Sequence, residues 1–354
     1  MTVLDLVALR QERTIEVGQN PTGLAVNPRR NEVYVVNSRS GSVSVIDASA
    51  NRVVATIPVR RLPYAISVGA DGRRAYVANA GSNSVSVLDL DGRRELMAAP
   101  AGEQPGLARI SPDMRSLVVT NRGSGSVSIF DAGAAADPRA PALRLRATVG
   151  GCAGATDAVI LPDSSKVFVA CSAGHQVMAV NLAAAPNSWG AKQNPSLMTD
   201  RRLAMLDVGL GPVNLAMKPD GGEIFVSNFR SDSISEIATG TNEVGGTYTI
   251  ANRPARAVVS DDNGTLWISN FGADSVSLYS IDDGKTAGSV RTGSSPDALA
   301  FSADEHLLLA ADANSGDVAV IRTQGKQGPA LFTMLPAGVQ PNDIAIKAMN
   351  VQRK

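Results

Sequence analysis

The chain has 354 residues, of which 44% are hydrophobic and 19% charged, a composition typical of a globular protein with a large core. Its 33 basic and 33 acidic residues cancel to a formal net charge of zero, which argues against nucleic-acid binding driven by bulk charge. No run of about 18 apolar residues occurs, so no membrane-spanning helix is expected.

Residues 1–20 carry several charges and lack the basic start, apolar centre and cleavage site of a signal peptide. We therefore expect either a cytosolic protein or the mature form of an exported one. The same segment is predicted to supply two strands, near Thr2–Leu6 and Arg13–Val17. The reason is spacing: Asp5 precedes Pro21 by the same 16 residues that separate Asp47 from Pro63.

From Pro21 onward, a unit of about 42 residues repeats along the chain. Its first copy is expected to form strands near Thr22–Asn27, Glu32–Val36, Ser42–Ile46 and Arg52–Val59, because large apolar and small polar residues alternate there. Each copy opens at a proline-type start residue, and a second apolar run ends 16 residues later in Asn or a substitute. The pairs are Pro21 and Asn37, Pro63 and Asn79, Pro105 and Asn121, Ala155 and Cys171, Pro212 and Asn228, Pro254 and Asn270, and Pro296 and Asp312.

A repeat of this length with four short strands predicts an all-β fold, a β-propeller in a single domain covering residues 1–354. Start residues occur eight times, the last at Pro341, where only a first strand, Asn342–Lys347, is expected. We therefore predict eight four-stranded blades, the last closed by strands from both termini, with seven blades as the alternative. Longer insertions between third and fourth strands are expected at 133–145 and 183–200.

The strings YVVNSRSGSVSVID (34–47), YVANAGSNSVSVLD (76–89) and LVVTNRGSGSVSIFD (117–131) resemble the YVTN-type β-propeller repeat family over nearly the whole chain. The fourth unit departs from the pattern, because Cys171 stands where Asn is usual. The resemblance implies a periplasmic, extracellular or cell-surface protein. Related propellers include lactone hydrolases, haem-binding nitrite-reductase domains and proteins with only binding roles, so the resemblance does not select an activity.

The loops from fourth to first strands and from second to third strands should emerge on one face of the propeller, because successive strands reverse direction. Arginine beside aromatic surface can grip carboxylate, phosphate or stacked bases, so we expect this arginine face to bind a protein or another anionic partner. Solvated loop arginines are the alternative reading. The candidate residues are Arg39, Arg60, Arg61, Arg122, His175, Phe229, Arg230, Arg253 and Phe271.

First strands should line the central channel with mostly small residues. The charged exceptions are Arg109, Asp157, Arg256 and Asp343. They could form a site for a small molecule, or they could simply pair with one another across water. The recurrent Asn at the end of each second strand is expected to cap a turn rather than bind a ligand.

Histidine and cysteine are each present only twice. No metal site and no cofactor is expected, because metal sites need converging side chains and a haem needs an axial ligand that only His175 could supply. Cys152 and Cys171 fall at the same end of one blade. A disulfide between them requires Cα atoms within about 7 Å and an oxidising compartment.

Three functions follow as hypotheses. The first is a non-catalytic binding or scaffolding propeller, because no recognisable catalytic motif is present; nucleic acid is an unlikely partner at zero net charge. The second is a lactone hydrolase resembling the propeller lactonases, with acid, base and oxyanion-binding candidates at His175, Arg109, Arg256, Asp157 and Asp343. The third is a haem-binding propeller related to the nitrite-reductase domains.

Overall fold

The structure, a computed structural model, describes residues 1–133, 143–183, 198–325 and 328–348. All of its regular elements are strands: a two-stranded sheet and seven four-stranded antiparallel sheets. The two-stranded sheet consists of β1 (Thr2–Asp5) and β2 (Arg10–Thr14). Each four-stranded sheet is one blade, with its strands in sequence order from the channel outward.

Blades 1 to 4 comprise the following strands: β3 (Pro21–Val26), β4 (Glu32–Asn37), β5 (Ser42–Asp47) and β6 (Arg52–Pro58); β7 (Pro63–Val68), β8 (Arg74–Asn79), β9 (Ser84–Asp89) and β10 (Arg94–Pro100); β11 (Pro105–Ile110), β12 (Ser116–Asn121), β13 (Ser126–Asp131) and β14 (Arg144–Gly150); β15 (Ala155–Ile160), β16 (Lys166–Cys171), β17 (Gln176–Asn181) and β18 (Arg201–Asp207).

Blades 5 to 7 continue the series: β19 (Pro212–Met217), β20 (Glu223–Asn228), β21 (Ser233–Ala238) and β22 (Glu243–Thr249); β23 (Pro254–Val259), β24 (Thr265–Asn270), β25 (Ser275–Ser280) and β26 (Lys285–Arg291); β27 (Pro296–Phe301), β28 (Leu307–Asp312), β29 (Asp317–Arg322) and β30 (Ala330–Pro336).

Seven complete blades support the seven-blade alternative, and the prediction of eight four-stranded blades is wrong. The terminal segments do meet: Thr2 Oγ1 donates to Ala337 O at 2.7 Å, and Leu24 N donates to Asp343 Oδ2 at 2.8 Å. However, 342–347 is not a strand, and within the described residues no second strand joins it to β1. The termini therefore meet between blades 7 and 1 without forming a complete sheet.

The 16-residue spacing seen in the sequence is the register of the first strand pair. In every blade the start residue lies opposite the residue that ends the second strand, as Pro21 opposite Asn37 and Ala155 opposite Cys171. The apolar core forms between neighbouring blades, for example where Tyr34 and Val36 of blade 1 pack with Val77 of blade 2.

The recurrent asparagines have a structural role. Asn37 Nδ2 donates to the hydroxyls of Ser42 and Ser44 at 3.2 and 2.9 Å, and the same pair of bonds recurs from Asn79, Asn121, Asn228 and Asn270. Because a buried amide needs partners, this network ties second to third strands in five blades.

The predicted insertions, 133–145 and 183–200, lie mostly outside the described residues. Their described ends are joined, because Arg146 donates from Nε and Nη2 to the two carboxylate oxygens of Asp200 at 2.9 and 2.8 Å. A bidentate pair of this kind is among the stronger ionic contacts in proteins, so blades 3 and 4 are held together at the insertion side.

Candidate functional site in the central channel

Asp157 is fully engaged in holding blades together. Its Oδ1 accepts from Ala158 N at 2.9 Å and lies 3.5 Å from Arg109 Nη2. Its Oδ2 accepts from Asn214 Nδ2 and Leu215 N, both at 2.9 Å. A carboxylate with both oxygens committed to donors has a structural task, and the contacts of Asp157 with Arg109 and Asn214 join blades 3, 4 and 5.

Asp343 and Asn214 repeat this arrangement elsewhere in the ring. Asp343 accepts from Leu24 N and Ile344 N at 2.8 and 3.0 Å, and Asn214 Oδ1 accepts from Ala257 N at 2.8 Å. Burial raises the pKa of Asp343, while the Leu24 N–H and the positive charge of Arg256 lower it. These side chains therefore link consecutive first strands by hydrogen bonds.

Arg256 and Asp297 differ from Asp157, Asp343 and Asn214, because no hydrogen bond or ion pair to their charged groups is found among the described residues. In the described part of the chain, Arg256 has no carboxylate within 4.0 Å and the carboxylate of Asp297 accepts no hydrogen bond. The charge of Arg256 lowers the pKa of Asp297, although burial dominates and raises it. An unengaged guanidinium and an unengaged carboxylate thus share the channel between blades 6 and 7.

Sequence reasoning missed Asp297, and a signal was available. It occupies the position directly after the start residue. In two other blades a threonine at this position donates to the beginning of the next blade's first strand: Thr22 to Tyr64 O and Thr156 to Pro212 O. A carboxylate has no hydrogen to donate there. A charged residue that cannot perform the structural task of its position is a candidate for function.

The arginine face holds the predicted residues in three different situations. Arg60 is paired with Glu95 at 3.0 Å. Arg253 lies over the ring of Phe229 at 5.9 Å, and Phe229 packs against Phe271 with ring centroids 5.9 Å apart. The exposed arginines for which no ion pair is found among the described residues are Arg39, Arg61, Arg122 and Arg230.

His175 is committed to a loop contact. Its Nδ1 accepts from Gly211 N at 3.1 Å, just as Asn83 Oδ1 accepts from Gln104 N at 2.9 Å between blades 2 and 3. His175 is therefore a clasp between the loops of blades 4 and 5. The haem-binding alternative, which needs an axial ligand, stays a prediction.

Cys152 and Cys171 form a disulfide, with Cα atoms 4.7 Å apart and a sequence separation of 19. The same 19-residue spacing separates Gly18 from Asn37 and Gly102 from Asn121, where Gly102 N donates to Asn121 Oδ1 at 3.1 Å. The disulfide of blade 4 thus takes the place that this hydrogen bond has in blade 3.

The described residues contain neither a metal-ligand cluster nor a membrane-spanning helix. Within the described ranges, no three His, Cys, Asp or Glu side chains come together as metal ligands. No helix long and apolar enough to cross a membrane is present in the same part of the chain.

Comparisons with solved structures give the same fold at low sequence identity. The chain is similar to Kuenenia stuttgartiensis hydrazine synthase (19% identity, TM-score 0.64, 88% of this chain and 98% of that chain covered). It is also similar to dihydro-heme d1 dehydrogenase NirN (16%, 0.69, 95% and 68%) and to a putative 6-phosphogluconolactonase from Bacteroides uniformis (18%, 0.64, 90% and 96%).

The comparison with curated proteins found no match. The sequence does match the family described as "Lactonase, 7-bladed beta-propeller" over residues 5–241 and 232–335. This match confirms a propeller family but not the YVTN repeat family, which stays a prediction. The chain belongs to the lactonase family of seven-bladed β-propellers.

Proposed function

We propose that the protein hydrolyses lactones in its central channel, using Asp297 and Arg256. The family to which the chain belongs favours the lactone-hydrolase alternative over the non-catalytic scaffold. The observation that carries the proposal is the unengaged pair itself, because every other channel carboxylate discussed above is consumed by backbone or side-chain donors. Perturbed, unpaired carboxylates in a concave site are typical of acid–base catalysts.

The chemistry assigns one task to each side chain. The Asp297 carboxylate accepts a proton from water as the water oxygen attacks the lactone carbonyl carbon. The Arg256 guanidinium stabilises the oxyanion that forms on the carbonyl oxygen. The ring C–O bond then breaks, and the proton held by Asp297 passes to the departing ring oxygen, giving a hydroxy acid.

Sugar lactones are the first substrates to test, with and without a phosphate. The unpaired arginines of the arginine face, Arg230 among them, suit an anionic substituent. The solved structure titled a putative 6-phosphogluconolactonase motivates 6-phosphogluconolactone as one member of the panel. Gluconolactone and homoserine lactones provide uncharged and acylated comparisons.

The test measures kcat/KM for Asp297→Asn and Arg256→Gln. We expect each to lower kcat/KM by about 10²- to 10⁴-fold, since one removes the base and the other the oxyanion partner. The matched control Arg39→Gln removes an exposed arginine of blade 1 that has neither of the two proposed tasks, and should leave kcat/KM unchanged. Full activity in Asp297→Asn contradicts the proposal.

A pH profile adds a readout that a merely structural role would not move. Activity requires ionised Asp297, so it should rise with pH through the pKa of that carboxyl, which burial holds above the ordinary value. Because the charge of Arg256 lowers this pKa, Arg256→Gln should shift the acidic limb to higher pH, whereas Arg256→Lys should keep it in place.

A second proposal is that the arginine face binds an anionic macromolecular surface. The observation favouring it is the cluster of Phe229, Phe271 and Arg253 beside unpaired Arg230. Charge reversal of Arg61 and Arg230 to Glu should reduce retention on a polyanion column at low salt. Arg60→Glu is the control, because Arg60 is already paired with Glu95; equal effects in all three variants would reject this face.

We also propose that the protein is exported. The disulfide between Cys152 and Cys171 supports this, since structural disulfides persist in oxidising compartments. Alkylation of freshly isolated native protein should give no mass shift without reductant and a shift of two adducts after reduction. Two free thiols in the native protein would contradict it.

A further inference from the structure

A cavity of about 410 Å³ opens on the arginine face between blades 2 and 3. Its walls include Leu62, Tyr64, Gly106 and Arg122, and Glu103 lies at its rim. The volume falls in the range of small-molecule sites in proteins. The cavity is separate from the Arg256 and Asp297 pair, which belongs to blades 6 and 7.

Leu62 has a left-handed backbone conformation, which is unfavourable for a residue with a branched apolar side chain. The residue before each start residue is left-handed around the whole ring, with φ between 47° and 67°. Elsewhere this position holds residues that tolerate the conformation or extend into solvent: Asn20, Gln104, Gly154, Gly211, Arg253, Ser295 and Gln340. A branched apolar residue there, with φ of 47°, is the costly choice.

Leu62 and Tyr64 present apolar surface to solvent instead of the core. Their exposed fractions are 48% and 43%. Tyr64 follows its start residue, a position occupied in the other blades by smaller side chains: Thr22, Gly106, Thr156, Val213, Ala255 and Asp297. Blade 2 alone among the seven combines two large apolar residues at these positions, and both leave part of their apolar surface exposed.

Arg122 supplies the charge. Its guanidinium lies 5.5 Å from the centroid of the Tyr64 ring and has no carboxylate partner within 4.0 Å among the described residues. Gly106 borders the guanidinium, because a Cβ added there would lie 4.0 Å from Arg122 Nη2, in ordinary van der Waals contact. An arginine stacked on an aromatic ring retains its donors for a planar anion.

Hydrogen bonds hold the backbone around the cavity in place. Ala80 N donates to Leu62 O at 2.9 Å, Thr22 Oγ1 donates to Tyr64 O at 2.9 Å, and Gln104 N donates to Asn83 Oδ1 at 2.9 Å. Such preorganisation lowers the entropic cost of binding. The cavity is therefore a formed site and not a gap between mobile loops.

We propose that this cavity binds a small organic carboxylate with an apolar body. The apolar part packs between Leu62 and Tyr64, and the carboxylate accepts hydrogen bonds from Arg122. Glu103 at the rim opposes the negative charge and limits affinity. The proposal depends neither on lactone hydrolysis nor on capture of a macromolecule.

The test titrates the full chain with phenylacetate and with its neutral analogue phenylacetamide, using calorimetry. We expect saturable binding of phenylacetate that is at least tenfold tighter than that of the amide. Arg122→Gln should remove this tenfold preference. Arg230→Gln, which removes an arginine of the same face that does not line the cavity, should leave the phenylacetate Kd unchanged.

Two further variants separate binding from folding. Leu62→Asn places at this position the residue that blade 1 carries there with φ of 53°, so the variant should fold while weakening both ligands at least fivefold. Glu103→Gln should tighten phenylacetate binding and leave phenylacetamide unaffected. Absence of phenylacetate binding to the unaltered protein, an unchanged Kd in Arg122→Gln, or an equal loss in Arg230→Gln overturns the proposal.

Discussion

Asp312 stands in blade 7 where five other blades have the buried Asn that ends the second strand. It is fully buried, its Oδ2 accepts from Gly293 N at 3.1 Å, and its Oδ1 finds no partner among the described residues. Burial raises the pKa of Asp312 to about 7, opposed by the Gly293 N–H and reinforced by the nearby Asp317. Ionised Asp312 is therefore a source of instability at neutral pH.

Replacing Asp312 by Asn should stabilise the protein at pH 8 but not at pH 4. In the unfolded chain the Asp312 carboxyl has a pKa of about 3.9, so the folded state binds this proton more tightly. The stability that the neutral carboxyl contributes is therefore lost as the pH rises from about 4 to about 7. We expect a gain of roughly 2–4 kcal/mol at pH 8, measured by urea unfolding of both proteins across the pH range. A gain in stability that does not depend on pH would show that the ionised carboxylate of Asp312 is not its cause.

At the scale of the element, blade 4 has a covalent bond where blade 3 has the hydrogen bond from Gly102 N to Asn121 Oδ1. In blades 1 and 5 a glycine lies against the terminal Asn so closely that an added Cβ would fall 2.6 Å from Asn37 Cγ at Gly18 and 2.7 Å from Asn228 Cγ at Gly209. Cys152 and Cys171 occupy the matching positions. The disulfide thus fastens the loop entering the blade to the end of its second strand.

Loss of this disulfide should cost a measurable part of the stability. For a closed loop of this length, the chain-entropy argument gives about 3 kcal/mol, so Cys152→Ala with Cys171→Ala should lower the free energy of unfolding by roughly 2–4 kcal/mol. The control pair Cys152→Gly with Cys171→Asn restores the arrangement of the other blades and should recover part of the loss. Equal stability of the oxidised protein and the double Ala variant would contradict the prediction that the disulfide stabilises the protein.

The strands could be predicted closely because they depend on local patterns that repeat, as β5 (Ser42–Asp47) shows against the predicted Ser42–Ile46. The channel site could not, because it depends on which side chains are left unengaged. In the sequence alone, Asp157 and Asp343 look equivalent to Asp297. In the structure, the carboxylates of Asp157 and Asp343 accept hydrogen bonds from backbone N–H groups of a neighbouring first strand. Such partners are up to 319 residues away in sequence, beyond any local pattern.

At the scale of the whole molecule, Asp343 joins the two ends of the chain and so closes the ring. Asp157 makes the equivalent contact inside the chain, to Leu215 N, and provides the matched control. In Asp157→Ala, neighbouring strands remain connected through the polypeptide. In Asp343→Ala the segment 341–347 loses its bond to Leu24 N of β3 and keeps the side-chain bonds from Asn342 to Pro21 O and from Lys347 to Asn27 O.

Hydrogen exchange should therefore distinguish the two variants. Asp157→Ala should accelerate exchange near Leu215 only, while Asp343→Ala should accelerate it at Leu24, along 341–347 and in the β1–β2 hairpin, whose Thr2 contacts Ala337. Loss of a hydrogen bond to a charged acceptor costs about 1.5–3 kcal/mol, enough to raise exchange of the released segment at least tenfold. Acceleration confined to Leu24 in Asp343→Ala would show that the hairpin holds the ring closed without the C-terminal segment.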